Sequence, residues 1–66
     1  MNINEKFGNN VKDIRLKKGL SQEKLANMAE IDRTYLPDIE RGKRNVSLAV
    51  ADRIARALDV SLKDLL

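Results

Sequence analysis

The chain has 66 residues, enough for one small domain whose core leaves only a thin margin of stability. It contains neither cysteine nor histidine, which excludes disulfides, thiolate metal sites and histidine-based catalysis. The net charge is +3, a mild excess that suits a polyanionic partner only if the basic residues are clustered. We therefore expect no metal, no cofactor and no small-molecule ligand, and dimerisation is the remaining way to add stability.

No segment is predicted to enter a membrane. No apolar run approaches the ~18 residues that a membrane span requires. The first residues, "MNINEKFGNN", lack the apolar core of a secretory signal. We expect a single domain over residues 1–66 that works in the cytoplasm.

The apolar residues recur at helical spacing along almost the whole chain. Phe7, Val11 and Ile14, for example, lie at positions i, i+4 and i+7. No stretch alternates β-branched and polar residues in the way a half-buried strand would. The pattern predicts an all-α protein.

Glycines and small polar residues predict where the first two helices end and begin. Gly19 can adopt the left-handed conformation that ends helix 1. Ser21 is expected to cap helix 2, at about residues 22–29, by accepting a backbone N–H. The segment "EID" then forms a three-residue turn.

The same signals predict three further helices. Asp32 is expected to cap helix 3, and Gly42 is expected to end it. Ser47 caps helix 4, at about residues 48–58. Ser61, with Asp64 three residues later, resembles a capping box and opens a short helix 5.

Helix 2, a tight turn and helix 3 have the spacing of a helix-turn-helix, in which the second helix is left exposed on one side. Other all-helical domains also contain such corners. On a helical wheel Leu36 and Ile39 share one face of helix 3, which predicts that this face packs on the core. The opposite face carries five residues: Arg33, Thr34, Pro37, Asp38 and Arg41.

This polar face could read base edges in the major groove of DNA. The planar fork of Arg33 suits guanine O6 and N7, although a solvated arginine is the simpler alternative. Thr34 could donate, accept or touch a thymine methyl group. The Tyr35 ring could lie against a sugar or a thymine with its hydroxyl on a phosphate, or it could pack half-buried against helix 2.

Two residues of helix 3 are unusual for a DNA-binding surface. Asp38 would repel phosphates but could accept from cytosine N4, and we favour pairing with Arg41 or another cation. Pro37 cannot donate to the Arg33 carbonyl, which predicts a loosened or 3₁₀-like first turn. Pro37 could offer a flat surface to a thymine methyl group, or it could simply be tolerated.

The segment after helix 3 is basic. Arg41, Lys43 and Arg44 place three cations within four residues, and Asn45 adds a side-chain donor. A charge run is often only a solvated loop. At the end of a recognition helix it favours contact with phosphates, which would make binding sensitive to salt.

The segments "GLSQEKLA", "IDRTYLPDIERGKRN" and "LAVADRIARALDVSLKDL" closely resemble the Cro/C1-type (XRE) helix-turn-helix family of bacterial and phage transcription regulators. The match covers roughly Phe7 to Leu65. Within that family the pattern is most similar to the small controller proteins of restriction–modification systems. The chain departs from the family at two places, with Glu30 or its neighbour where glycine is usual and Pro37 where serine or glycine is frequent.

The resemblance implies a five-helix, lambda-repressor-like domain that binds a palindromic operator as a homodimer. Helix 3 would enter the major groove of double-stranded DNA, and Ser21 and Gln22 would touch phosphate at the start of helix 2. It also implies a structural ion pair between Arg15 and Glu40. The protein would be encoded by a bacterium or phage and would associate with the nucleoid.

Dimerisation requires apolar surface that the core does not use. Five apolar residues of helix 5 and the region of helix 4 are candidates: Val46, Val50, Leu62, Leu65 and Leu66.

Other functions compete with that of a sequence-specific regulator. An antitoxin-type module would bind a partner protein and also its own operator. A nonspecific nucleoid protein would bind DNA without base preference. An enzyme is not expected, because the chain lacks histidine, cysteine, a phosphate-binding glycine loop and paired carboxylates.

Overall fold

A computed structural model describes residues 1–66, which form four α-helices and one 3₁₀ helix. The elements are α1 Ile3–Lys17, α2 Gln22–Ala29, α3 Tyr35–Glu40, α4 Leu48–Ala57 and a 3₁₀ helix, Leu62–Leu65. The all-α prediction is confirmed, and of the five predicted helices four are α-helices and the fifth is a 3₁₀ helix. The last element is 3₁₀ because Asp64 and Leu66 donate their backbone N–H groups to carbonyls three residues back.

Serine side chains begin two of the helices as predicted. The Ser21 hydroxyl accepts from the backbone N–H of Lys24 at 3.0 Å, and the Ser47 hydroxyl accepts from that of Val50 at 3.1 Å. At the 3₁₀ helix Oδ2 of Asp64 accepts from both the backbone N–H and the hydroxyl of Ser61, each at 3.0 Å, so the Asp64 half of the predicted capping box is present. α4 ends at Ala57, one residue before the predicted end.

Left-handed residues end the helices. Gly19 and Gly42 have φ of 70° and 75°, as predicted, and no steric cost arises because neither has a Cβ atom. Glu30 and Asp59 adopt the same conformation after α2 and α4, with φ of 57° and 59°. Each of these two non-glycine residues costs roughly 1–3 kcal/mol. The turn between α2 and α3 therefore requires the left-handed geometry even though glycine is absent.

α3 begins two residues later than Asp32 would place it, so the predicted N-cap was wrong. Thr34 is the N-cap, without a side-chain cap bond, and the backbone N–H of Tyr35 bonds to the Asp32 carbonyl three residues back. The predicted 3₁₀-like entry is therefore present. Pro37 becomes the third helical residue, where a backbone N–H would have no partner inside the helix, so the proline costs little.

The core lies between α1, α2, α4 and the inner face of α3. Leu36 and Ile39 are buried there, as predicted. Gly8 permits α1 to approach α3 closely, since a Cβ atom at this position would overlap the backbone carbonyl oxygen of Ile39. No helix of the chain is long and apolar enough to span a membrane.

Candidate nucleic-acid interface

The outer face of α3 is open to solvent. Arg33, Thr34, Tyr35 and Arg41 are exposed, whereas Pro37 is partly buried. None of the five residues that the sequence places on one polar stripe is buried in the core, and all five follow the tight corner after α2.

Arg33 forms an ion pair with Glu23, a residue that carried no sequence signal for this role. Its Nη1 atom lies 2.9 Å from Oε2 of Glu23 on α2. The two side chains are 69% and 62% exposed, so water and salt screen the pair strongly. The guanidinium group can therefore exchange this partner for another acceptor at small cost.

Thr34 is engaged on one side. Its hydroxyl donates to Oδ1 of Asp32 at 2.8 Å, and its backbone N–H donates to the same oxygen at 2.9 Å. These hydrogen bonds lower the pKa of Asp32, with the backbone N–H the larger cause. The Thr34 hydroxyl keeps its acceptor lone pairs.

Asp38 is neutralised by neighbouring arginines. Its Oδ1 accepts from Nη2 of Arg41 at 2.8 Å, and Nε of Arg44 lies 3.8 Å from Oδ2. The hydrogen bond from Arg41 is the main reason why the pKa of Asp38 is lowered. The structure thus contains the pairing with Arg41 that the sequence favoured.

Tyr35 carries an arginine on its ring. The guanidinium carbon of Arg44 lies 4.3 Å from the ring centroid, within the range of a cation–π contact. Tyr35 is 46% exposed. The contact holds the Arg44 side chain beside the first turn of α3.

The amino-terminal turn of α1 supports the basic loop. Oδ1 of Asn45 accepts from Nδ2 of Asn4 at 2.7 Å, which leaves the Asn45 amide nitrogen available as a donor. Glu5 lies against Gly42, where a Cβ atom would overlap it. Lys43 is exposed. Neither Asn4 nor Glu5 carried a sequence signal for this role.

Behind α3 lies a buried ionic cluster, formed by Arg15, Leu20, Gln22 and Glu40. Arg15 donates from Nε to Oε2 of Glu40 at 2.7 Å and from Nη2 to Oε1 at 3.1 Å. Its Nη1 atom donates to the Leu20 carbonyl at 2.7 Å. The two charged residues are 7% and 4% exposed. The pair that the family resemblance implies is therefore present and ties α1 to α3.

Gln22 belongs to the same cluster. Its Nε2 atom donates to Oε1 of Glu40 at 3.1 Å. Ser21, just before it, uses its hydroxyl to cap α2. The two residues that the resemblance assigns to phosphate contact thus lie at the start of α2, and one of them, Gln22, is hydrogen-bonded to the buried Glu40.

An apolar groove adjoins the basic loop at Asn4 and Val46, and its lining residues are Ile3, Asn4, Phe7, Val46, Leu48, Ala51, Leu62 and Leu66. Leu48 and Ile3, which the sequence did not select, are 79% and 59% exposed. Three of the predicted dimer residues line this apolar groove: Val46, Leu62 and Leu66. Val50 instead lines a cleft beside Tyr35 and Arg44.

The prediction for Leu65 was wrong, because its side chain is completely buried in the core of its own chain. Its carbonyl also accepts from the Asn10 side chain at 3.0 Å. Leu65 is therefore unable to contribute side-chain surface to a dimer.

No group of three or more histidine, cysteine, aspartate or glutamate side chains could hold a metal ion. A short helix that is exposed on one side, set at a tight corner and followed by clustered cations is typical of a helix-turn-helix protein. A family model described as "Helix-turn-helix" matches residues 11–65. The chain belongs to this family, as an XRE-type DNA-binding transcription regulator.

Similar proteins support the finer resemblance. The chain is 54% identical over 66 residues to the control protein C.BamHI of Bacillus amyloliquefaciens, covering 98% of this chain and 82% of the relative. It is 45% identical over 64 residues to the control protein C.MunI of a Mycoplasma species, covering 96% and 86%. These relatives are regulators and not enzymes.

A solved structure is also similar along nearly the whole chain. The restriction-modification controller protein C.AhdI from Aeromonas hydrophila superposes with a TM-score of 0.91 at 45% identity, covering 94% of each chain. The predicted family and the similarity to controller proteins are confirmed.

Proposed function

We propose that the chain binds a specific palindromic operator as a homodimer and controls the transcription of restriction–modification genes. The observation that carries the proposal is the outer face of α3, which is exposed, rich in donors and followed by cations. A protein that acts on DNA in this way would work in the cytoplasm of a bacterial cell.

In this proposal α3 enters the major groove. Arg33 and Thr34, at the start of the helix, would meet base edges, with the arginine fork on guanine. Tyr35 and Pro37 would offer apolar surface to sugars or thymine methyl groups. The exposed ion pairs Glu23–Arg33 and Asp38–Arg41 would then open, because phosphates and base acceptors replace the carboxylates.

Phosphate contacts would come from both sides of α3. The loop after α3 contains Lys43, Arg44 and Asn45. Asn4 donates to the side-chain oxygen of Asn45, so the Asn45 amide nitrogen is free to donate to a phosphate. Ser21 and Gln22 stand at the start of α2, where unpaired backbone N–H groups favour anions. Such contacts release counterions, so affinity should fall steeply with salt.

The apolar groove is the proposed homodimer interface. Leu48, Ile3 and Leu66 are large apolar side chains that remain exposed together along it. A two-fold dimer would present two copies of α3 to successive major grooves, about 34–36 Å apart. The control over restriction–modification genes is proposed from the names of the relatives, among which are C.BamHI, C.MunI and C.AhdI.

Selection of bound sites from a random duplex pool tests the proposal. We expect a palindromic consensus. Arg33→Ala should weaken the base preference at one position of the site by about 1–3 kcal/mol. Arg44→Ala should weaken binding to all duplexes alike, and the slope of log affinity against log salt concentration should become smaller by about one. Absence of any consensus would indicate a nonspecific nucleoid protein.

Sedimentation velocity tests the dimer. Leu48→Lys should shift the protein to monomer and weaken operator binding, since an ammonium group would be placed on the apolar groove. Met28→Lys is the matched control, because Met28 is an exposed methionine on α2 away from the apolar groove. Equal dissociation by both variants, or by neither, would contradict this interface.

A further inference from the structure

We propose that Glu40, held by Arg15, is a positioning residue that orients the Gln22 amide for contact with a DNA phosphate. The inference rests on the proposed function for the identity of the phosphate. It goes beyond a structural role for the ion pair, because it assigns the pair an effect on a DNA-facing side chain on another helix.

The chemistry of the acceptor fixes the orientation of the amide. A carboxylate only accepts hydrogen bonds, so it can face the nitrogen of Gln22 but not the oxygen. With Nε2 bonded to Glu40 at 3.1 Å, the second hydrogen of this nitrogen remains available as a donor. A glutamine without this partner could equally turn its carbonyl oxygen outward, where it would repel a phosphate.

Glu40 does not depend on this hydrogen bond for its own stability. Arg15 already donates to both of its oxygens, at 2.7 and 3.1 Å. The bond from Gln22 is therefore additional for Glu40, whereas it determines the conformation of Gln22. A flexible side chain that is ordered before binding loses less entropy when the phosphate arrives.

Arg15 contributes in two ways. It neutralises the buried carboxylate, which would otherwise place a negative charge close behind an anion-binding residue. It also donates to the Leu20 carbonyl at 2.7 Å, two residues before Gln22, and so fixes the backbone that leads into α2. One guanidinium group thus controls both the acceptor and the start of the helix.

The first test needs no DNA. Gln22 is the only glutamine of the chain, so its side-chain amide signals can be assigned directly by NMR. We expect these protons in the free protein to report restricted motion, unlike those of Asn27, which is exposed on the same helix. Equal mobility of the two amides would overturn the proposal while leaving the proposed function intact.

The second test is a double-mutant cycle on operator affinity. Arg15→Met with Glu40→Leu replaces the buried pair with apolar residues, a change that is often tolerated in stability. Gln22→Ala should weaken operator binding about tenfold in the natural background. In the variant with the apolar pair, Gln22→Ala should weaken operator binding less than about twofold, because the Gln22 amide is no longer oriented by Glu40.

Each outcome of the cycle has a meaning once thermal unfolding shows that the variants fold. Equal costs of Gln22→Ala in the two backgrounds would show that the pair is only structural and would overturn the proposal. If the apolar variant fails to fold, the NMR comparison on the unmodified protein decides. Failure of the natural protein to bind any duplex would refute the proposed function instead.

Discussion

Two arginine–glutamate pairs, one on the inner side of α3 and one near its start on the outer side, lie in opposite environments. On the inner side Arg15 and Glu40 are almost fully buried. On the outer side Arg33 and Glu23 are mostly exposed at a similar separation, 2.9 Å against 2.7 Å. Distance does not distinguish these pairs, whereas solvent exposure does.

The difference in solvent exposure determines which charges can change partners. A buried pair cannot be opened without stranding a charge in a poorly solvated site. An exposed pair is screened by water and is worth little, so DNA can replace the carboxylate. The buried pair therefore fixes the position of α3, whereas the exposed arginines at its two ends, Arg33 and Arg41, can exchange their partners.

The largest expected effect is on the inner pair. Arg15→Ala should lower the free energy of unfolding by about 3–5 kcal/mol, since Glu40 would be left buried without its partner. Urea unfolding measures this loss. Arg56→Ala is the matched control, because Arg56 pairs with Asp52 at 2.9 Å but is 80% exposed, and it should cost about 0.3–0.5 kcal/mol. Similar losses in both variants would remove the contrast between buried and exposed pairs.

A smaller loss is expected where α1 touches the inner side of α3. Gly8→Ala should destabilise the protein by about 1–3 kcal/mol, because the added methyl group would overlap the Ile39 carbonyl. Thermal unfolding provides the measurement. Asn9→Ala, at the exposed neighbouring position, should leave the midpoint unchanged or slightly raised. A stabilised Gly8→Ala variant would show that α1 and α3 are loosely packed.

On the outer side the expected effect is on binding and not on stability. Asp38→Asn should free Arg41 and tighten binding to all duplexes at low salt by up to about fivefold. Asp52→Asn removes the same charge from α4 and controls for net charge. Equal changes in both variants would indicate a general charge effect. Weaker binding to the preferred site alone would instead indicate that Asp38 accepts from cytosine.

The smallest expected effect is the pH dependence of the outer side. The pKa values of Asp32 and Asp38 are lowered by hydrogen bonds from Thr34 and Arg41. These carboxylates therefore stabilise the fold at neutral pH, and that contribution is lost as the pH falls through their lowered pKa values. As the pH falls through the acid range, the thermal midpoint of the double variant Asp32→Asn with Asp38→Asn should fall less than that of the natural protein. If the thermal midpoint of the variant falls with pH as steeply as that of the natural protein, these hydrogen bonds do not persist in solution.

Helix boundaries were predictable from the sequence wherever the residue that starts or ends the helix acts on its own neighbours in the chain. The helix-ending glycines and the capping serines Ser21 and Ser47 act on backbone groups within a few residues, so their effect can be predicted without knowledge of the fold. The start of α3 was not predictable in this way. Asp32 does accept a backbone N–H, but through a turn that precedes the helix.

Long-range contacts could not be predicted from residue types alone. The bond from Gln22 to Glu40 spans 18 positions and depends on the angle between α2 and α3. The bond from Asn4 to Asn45 spans 41 positions. Two adjacent leucines, Leu65 and Leu66, could equally have faced inward, and only the packing of the 3₁₀ helix shows that the first does so.

The left-handed residue after each α-helix has a consequence for how the chain folds. Because each helix end is specified by neighbouring residues, every helix can stop at its native position before distant parts of the chain have met. Small helical domains with such local instructions reach the native state within microseconds to milliseconds. A newly synthesised chain would therefore be folded almost as soon as it leaves the ribosome, and meeting a second copy would be the slower step towards the proposed dimer.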